Sequence, residues 1–316
     1  MQIFGSLLLY ILAIVAIWFG AGLIISSVEK FSHRLHFSPF ITSFVFLGLL
    51  TSIPEFGVGT TAIVDGKPEI FVGALIGGII VMFLFIIPIL AILGKGITIN
   101  HNLDSKKLLY LILILLAPGL FVVDRNFTIL EGVLLIACYV LVITHIRKAQ
   151  VTEKQEENVL SLKIYSILDL AKVASGIGIV FISSQIIVSE TIYFAKILNI
   201  PEFYLSILVL SLGTNLPELS IALRSVISGA KDIALGNYLG SASANVFLLG
   251  LFTIANNQNI ILKDSFIITY VIMSIGLLSF YKFSKSKKEI SVKEGKILLL
   301  IYFSFLISEW LMLMRN

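Results

Sequence analysis

Charge is scarce in this chain. Only 13% of its 316 residues are Asp, Glu, Lys or Arg, against about 25% in soluble domains. With 58% hydrophobic residues and a mean hydropathy of +1.02, a water-soluble fold is excluded. Cysteine is almost missing too. Cys138 stands alone in an apolar run, which excludes an internal disulfide and a thiolate metal cage. The four histidines are scattered, with His33, His36 and His101 in loops and His145 at a helix end, so no imidazole cluster forms. No hydrolase or redox constellation appears, and an enzyme is not expected. A net charge of +4 and a pI near 9.0 would suggest nucleic acid in a soluble protein. In a membrane protein positive charge sets topology instead. The expected partner at this level is the lipid bilayer, with no obligate protein partner. The run from Ile3 to Ile25 lacks a basic leader and a small-residue cleavage site, so it reads as a retained helix.

Apolar runs near the ~20 residues needed to span a bilayer occur at 3–27, 38–62, 69–93, 107–123, 127–146, 166–196, 202–226, 232–255, 264–282 and 293–314. The fold expected is an all-α integral membrane protein of ten spans. The only long polar connection, 147–165, carries the mixed run Glu153-Lys154-Gln155-Glu156-Glu157 and divides the chain into 1–146 and 166–316. Of 23 lysines and arginines, only Lys67, Arg125, Lys196, Lys263 and Arg315 fall in even-numbered loops or at the C-terminus, leaving aside Lys172 at a helix start. The positive-inside bias therefore places the odd-numbered loops, including the central linker, in the cytoplasm and both termini outside the plasma (inner) membrane. Five spans per half is an odd number, so the second half enters from the opposite face. The two halves form inverted repeats.

The repeat is visible in the residues. Leu50-Thr51-Ser52-Ile53-Pro54-Glu55 recurs as Gly213-Thr214-Asn215-Leu216-Pro217-Glu218, an offset of 163 residues that holds without a gap from about 23–85 to 186–248. Phe40/Phe203, Thr51/Thr214, Pro54/Pro217, Glu55/Glu218, Gly66/Gly229, Gly73/Gly236 and Gly77/Gly240 match across it. Proline has no N–H for the carbonyl four residues back, so Pro217 is expected to leave the Gly213 carbonyl free. Freed carbonyls in a bilayer must be buried or line a wet cavity. Thr214 and Asn215 add neutral oxygens and Glu218 a negative one, the hard set that Ca²⁺ or Na⁺ prefers. In the eighth span Asn237, Ser241 and Asn245 fall four apart and form one polar stripe, beside a small-residue stripe of Gly236, Gly240 and Ala244. The equivalent positions of the third span, Ala74, Gly78 and Met82, carry no side-chain oxygen. A carboxylate in mid-span costs about 2.5–3.5 kcal/mol on insertion scales, which argues against two idle copies. Glu190 and Glu309 also fall in spans, near helix ends, and read as interfacial, with Glu190 able to line an access path. Glu131, Asp169 and Lys172 read as boundary residues.

At these residues the chain resembles the Ca²⁺/cation antiporter superfamily, which includes sodium/calcium and proton/calcium exchangers. The matching segments are Thr51 to Glu55, Gly213 to Glu218 and Gly236 to Asn245, and the ten-span layout extends the likeness over the whole chain. The resemblance implies that Glu55 and Glu218 coordinate Ca²⁺, aided by backbone oxygens near Thr51 and Thr214. It implies that Ser52, Asn215, Ser241 and Asn245 border the sites of a coupling ion, Na⁺ or H⁺. It also implies alternating access by rocking of the first and sixth spans. Sodium/calcium exchangers usually carry Asn or Asp, and Ser, where this chain has Met82 and Gly78, and often an Asp at Asn245. Those departures leave the coupling ion open. The alternative is a cation-binding membrane protein of the same fold, a sensor or scaffold that does not transport.

Overall fold

The computed structural model of the chain describes residues 5–23 with gaps at 10, 14, 17 and 21, then 39–98, 105–150, 167–197, 204–227, 229, 231–262, 266–287 and 289–315. The linker run Glu153 to Glu157 lies outside the described residues, as do His33, His36, His101 and the side chains of His145 and Asp169. Within 5–23 the described positions are helical. After them come α1 (39–51), α2 (Ile53–Val64), α3 (Pro68–Leu93), α4 (Ser105–Phe121), α5 (Ile129–Gln150) and α6 (Ile167–Ile197). The rest of the chain forms α7 (205–214), α8 (Leu216–Ile227), α9 (Lys231–Ala255), α10 (Ile267–Lys287) and α11 (Val292–Arg315). Pairing α1 with α2 and α7 with α8, these helices fall on the ten apolar runs read from the sequence.

Two short antiparallel ladders settle how the halves are related. Strand β1 (Ile97–Thr98) pairs with β4 (Glu289–Ile290), and β2 (Asn126–Phe127) with β3 (Ile260–Ile261). Helix α4 runs from the first ladder to the second, while α10, its repeat equivalent, runs from the second back to the first. Likewise α3 ends at the β1–β4 face and α9 at the β2–β3 face. Equivalent helices thus cross in opposite senses, as inverted repeats require. The offset of 163 carries β1 onto β3 and β2 onto β4, so each ladder joins one repeat to the other. Local signals repeat with it. Thr128 with Glu131 and Ser291 with Glu294 form matching capping boxes, in which the glutamate accepts from the Thr128 or Ser291 N–H. Gly66 and Gly229 both sit at positive φ, 65° and 82°, which explains the matched glycines. Glu131 is a boundary residue, as expected.

Burial is arranged for lipid outside and protein inside. On α11, Ile297, Leu300, Phe303, Ile307, Trp310, Leu311 and Met314 are exposed, while Leu298, Tyr302, Phe305 and Glu309 are buried. That is an apolar face toward lipid and a packed face toward the bundle. Helices α3 and α9 are buried on every side along their middles, from Phe71 to Leu84 and from Ala234 to Val246. Each packs on the other repeat: α9 on α1 and α5, α3 on α7 and α11. Glycines permit this. A methyl group at Gly240 would overlap the Phe44 backbone carbonyl, and one at Gly77 would stand 2.7 Å from the Ile207 carbonyl, its repeat equivalent. Gly132 meets Gly250 backbone to backbone, while Gly295 rests on Pro88 and Ala91. The repeats are interlocked rather than side by side.

Glu309 corrects an expectation. It is not interfacial but 1% exposed, and its carboxylate accepts the hydroxyl of Thr269 on α10. A carboxylate close to a helix end stays out of water here because the neighbouring helix supplies a donor.

Candidate cation site

The two broken spans meet at the centre. In each, the last α-helical turn before the break is preceded by a π-helical stretch, Ser43–Leu47 in α1 and Leu205–Leu210 in α7. The wide turns are equivalent: Gly48 N–H donates to the Ser43 carbonyl, and Ser211 N–H to the Ser206 carbonyl. The chain then leaves helical geometry at Ser52 (φ −82°, ψ 11°) and Asn215 (φ −89°, ψ 6°) and resumes with Pro54 and Pro217 in the first turns of α2 and α8. The break between α7 and α8 bends the span by 45°, whereas Phe40–Val64 is straight enough to count as one span. One sequence expectation fails here. The Gly213 carbonyl, which Pro217 cannot reach, is not free but accepts from the N–H of Asn215. A tight turn at the break engages it within the chain.

Glu55 and Glu218 follow their prolines directly, in the first turns of α2 and α8, where helix dipoles favour negative charge. They are 1% and 0% exposed and near enough to repel each other. Thr214 lies beside Glu55, and Thr51 and Ser241 lie beside Glu218, so each carboxylate faces the threonine of the opposite repeat. None of these approaches has hydrogen-bond geometry, and all four carboxylate oxygens lack a partner. Among the described residues no lysine, arginine or histidine is buried to balance them. Two unpaired buried anions are costly in a low-dielectric interior unless a cation joins them.

The neutral ligands are placed unequally. Thr51 donates to the Leu47 carbonyl (2.9 Å), shares a hydrogen bond with Ser241 (2.8 Å) and lies 3.5 Å from the Asn237 side-chain oxygen. Thr214, its equivalent, has no partner for its hydroxyl, because α3 offers Ala74 and Gly78 where α9 offers Asn237 and Ser241. Ser52 donates to the Gly48 carbonyl (2.8 Å). Asn215 donates its amide to the Ser211 carbonyl (2.6 Å), and Asn245 to the Leu75 carbonyl of α3 (3.4 Å). Both amides stand over Gly78, where a methyl group would lie 2.6 Å from Asn245 Nδ2 and 3.0 Å from Asn215 Nδ2. Their Oδ1 atoms are left without partners. The structure therefore brings all nine expected residues, Thr51, Ser52, Glu55, Thr214, Asn215, Glu218, Asn237, Ser241 and Asn245, into one buried region at the crossing of α1–α2, α7–α8 and α9. Every one of them is at most 3% exposed.

Sequence reasoning passed over two features. Gly78 reads as a lost oxygen but is the space that the two amides fill. Gln185 on α6 places its amide 2.8 Å from where a Gly57 side chain would begin, so the sixth span touches α2 two residues from Glu55. Its signal lay in the run Ser183-Ser184-Gln185, a polar interruption in the middle of an apolar span. Glu190 on the same helix is half-buried and Lys172 is exposed.

With no cluster of three or more His, Cys, Asp or Glu among the described residues, the donor set is two carboxylates, hydroxyls and amide oxygens. That is a site for hard cations. The model of the sodium/calcium exchanger protein family matches residues 5–147 and 170–311. The chain belongs to the sodium/calcium exchanger family. It is a membrane protein of a family of cation antiporters. It is 26% identical to CaxA of Alkalimonas amylolytica over 316 residues, covering 93% of this chain and 98% of that one. It is 31% identical to the sodium/calcium exchanger MaX1 of Methanosarcina acetivorans over 140 residues, 44% of this chain and 40% of that one. A solved structure of the sodium–calcium exchanger NCX_Mj, soaked with Na⁺ and Sr²⁺, superposes with a TM-score of 0.80 at 21% identity, over 98% of this chain and 99% of that one. The exchanger fold accounts for the interlocked inverted repeats.

Proposed function

We propose that this exchanger moves Ca²⁺, or a divalent cation of similar size, against Na⁺ or H⁺ across the plasma (inner) membrane. Glu55 and Glu218 form the shared cation site, with Thr51, Ser52, Thr214, Asn215, Asn237, Ser241 and Asn245 supplying neutral oxygens around it. The observation that carries this reading is the pair of buried carboxylates, one from each repeat, with four partnerless oxygens and, among the described residues, no buried basic side chain. A divalent cation neutralises the pair, and so do monovalent ions. The empty, doubly charged site resists passage through the apolar interior, and that resistance couples the two fluxes. Both termini lie outside and the central linker is cytoplasmic, by the lysine and arginine bias. The helix within 5–23 and α6 are the mobile pair in this reading. The contact of α6 with α1 and α2 supports it, since a sliding α6 would open one side of Glu55.

Uptake of ⁴⁵Ca²⁺ into proteoliposomes under separately imposed Na⁺ and pH gradients tests the proposal. One of the two gradients is expected to drive uptake, and Glu55→Gln and Glu218→Gln are each expected to abolish it. Undiminished uptake in either variant would overturn the shared site.

A further inference from the structure

The helix within 5–23 meets α8, and α6 meets α2, and these two repeat-related junctions are closed differently. At the first, the Arg224 guanidinium lies 5.7 Å from the Trp18 ring centre and donates to the Trp18 carbonyl at 3.3 Å. It also covers Gly22, one turn further along, where a methyl group would overlap it. The offset of 163 carries Gly22 onto Gln185 and Thr61 onto Arg224. At the second junction Gln185 rests on Gly57, while Thr61 is exposed and donates to the Gly57 carbonyl of its own helix at 3.0 Å. Helix α2 contains no lysine or arginine. A cation clasps one junction and a neutral amide the other. The two lie on opposite sides of the buried carboxylates. Val226, two residues beyond Arg224, packs on Gly94 just before β1, whereas Gly59, two beyond Gly57, packs on Phe252 near the β2–β3 end of α9. The helix within 5–23 follows α8 outward from the site, with Ala13 against Leu216 and then Trp18 and Gly22 against Arg224.

We infer that Arg224 is a positioning residue, which clasps the helix within 5–23 over α8 and makes the β1–β4 side of the site the one held shut in the unloaded protein. The inference rests on the exchange reading above. Identical inverted repeats give two access states that interconvert by exchanging the roles of the halves, and those states have equal energy. A contact made in one state and missing from the other separates them. A half-buried guanidinium held by an aromatic face and a carbonyl is enough for a bias of about tenfold. Gly22 is what admits it, because only a residue without a side chain lets the guanidinium lie flat on the helix. The lysine and arginine bias puts the β1–β4 side in the cytoplasm, so the unloaded site is open to the outside.

The test is the half-saturating Ca²⁺ for ⁴⁵Ca²⁺ uptake, measured separately in inside-out and right-side-out membrane vesicles under the Na⁺ or pH gradient that drives it. A state populated by a minority of molecules binds with its affinity reduced by that fraction. Releasing a tenfold bias in Arg224→Ala is therefore expected to lower the half-saturating Ca²⁺ about fivefold on the cytoplasmic side and to raise it about twofold on the other. A general loss of stability would not divide the two sides in this way. Arg224→Lys and Trp18→Leu, which each keep part of the clasp, are expected to shift the same side by less, and they carry the test if the alanine variant does not accumulate. Equal changes on both sides, or none on either, would overturn the clasp and leave the exchange reading intact. A wild-type chain with no gradient-driven uptake in either kind of vesicle would overturn both.

Discussion

The unequal surroundings of the two repeat threonines give a test that separates packing from ligation. Thr51 has its hydroxyl satisfied by Leu47 and Ser241, whereas the Thr214 hydroxyl is buried and has no partner. Valine keeps the shape of threonine and removes the hydroxyl. In Thr51→Val two buried hydrogen bonds go, each with a net worth of about 0.5–1.5 kcal/mol, and Ser241 loses its bond to Thr51. The expected loss of stability is about 1–3 kcal/mol. In Thr214→Val no hydrogen bond is lost and an unsatisfied buried hydroxyl is removed. The expected change is about 0–1 kcal/mol, in the stabilising direction. Thermal unfolding of the purified chain in detergent with a chelator measures both. Adding Ca²⁺ reverses the order of interest. If Thr214 lends its oxygen to the cation, Thr214→Val loses most of the Ca²⁺-dependent stabilisation, since a tenfold loss of affinity removes about 1.4 kcal/mol of it. Thr51→Val keeps more of it. Equal destabilisation of the two variants without Ca²⁺ would refute the asymmetry.

Other substitutions probe the remaining contacts. Gly240→Val forces a side chain against the Phe44 carbonyl, and overpacking of this kind costs about 1–3 kcal/mol or more; a wild-type unfolding temperature in that variant would contradict the close crossing of α9 and α1. Arg224 on α8 stacks over Trp18 at 5.7 Å and donates to the Trp18 carbonyl at 3.3 Å. Arg224→Ala is expected to cost about 0.5–1 kcal/mol for the ring contact alone and to speed hydrogen exchange around residues 18–23, and unchanged exchange there would count against the contact. Glu309→Gln keeps an acceptor for Thr269, so Ca²⁺ uptake should stay near wild type. A loss as severe as in Glu55→Gln would place Glu309 in the ion path.

The breaks were legible because Pro54 and Pro217 lack the N–H that a continuous helix needs, and their recurrence with Glu55 and Glu218 survived comparison of the two halves. The spans were legible from apolar length. The inversion followed from five spans per half, an odd number, and the two inter-repeat ladders bear it out independently. What stayed hidden depended on neighbours distant in the chain. The π-helical stretches widen α1 and α7 where Gly240 and Gly77 press backbone against backbone, which no local pattern announces. Gly78 read as a deficit because the repeats were compared position by position, while its space is filled by side chains of the opposite repeat. Glu309 read as interfacial because its partner, Thr269, lies on another helix. The Gly213 carbonyl read as free because proline removes one donor, and the turn at Asn215 supplied another.

The most direct measurement is equilibrium binding of ⁴⁵Ca²⁺ to the purified chain, with Na⁺ and H⁺ as competitors. One Ca²⁺ per chain, displaced by the coupling ion, lost in both Glu55→Gln and Glu218→Gln and retained in Glu309→Gln, is the expected result. Full binding in either of the first two variants would contradict a cation site shared between the repeats.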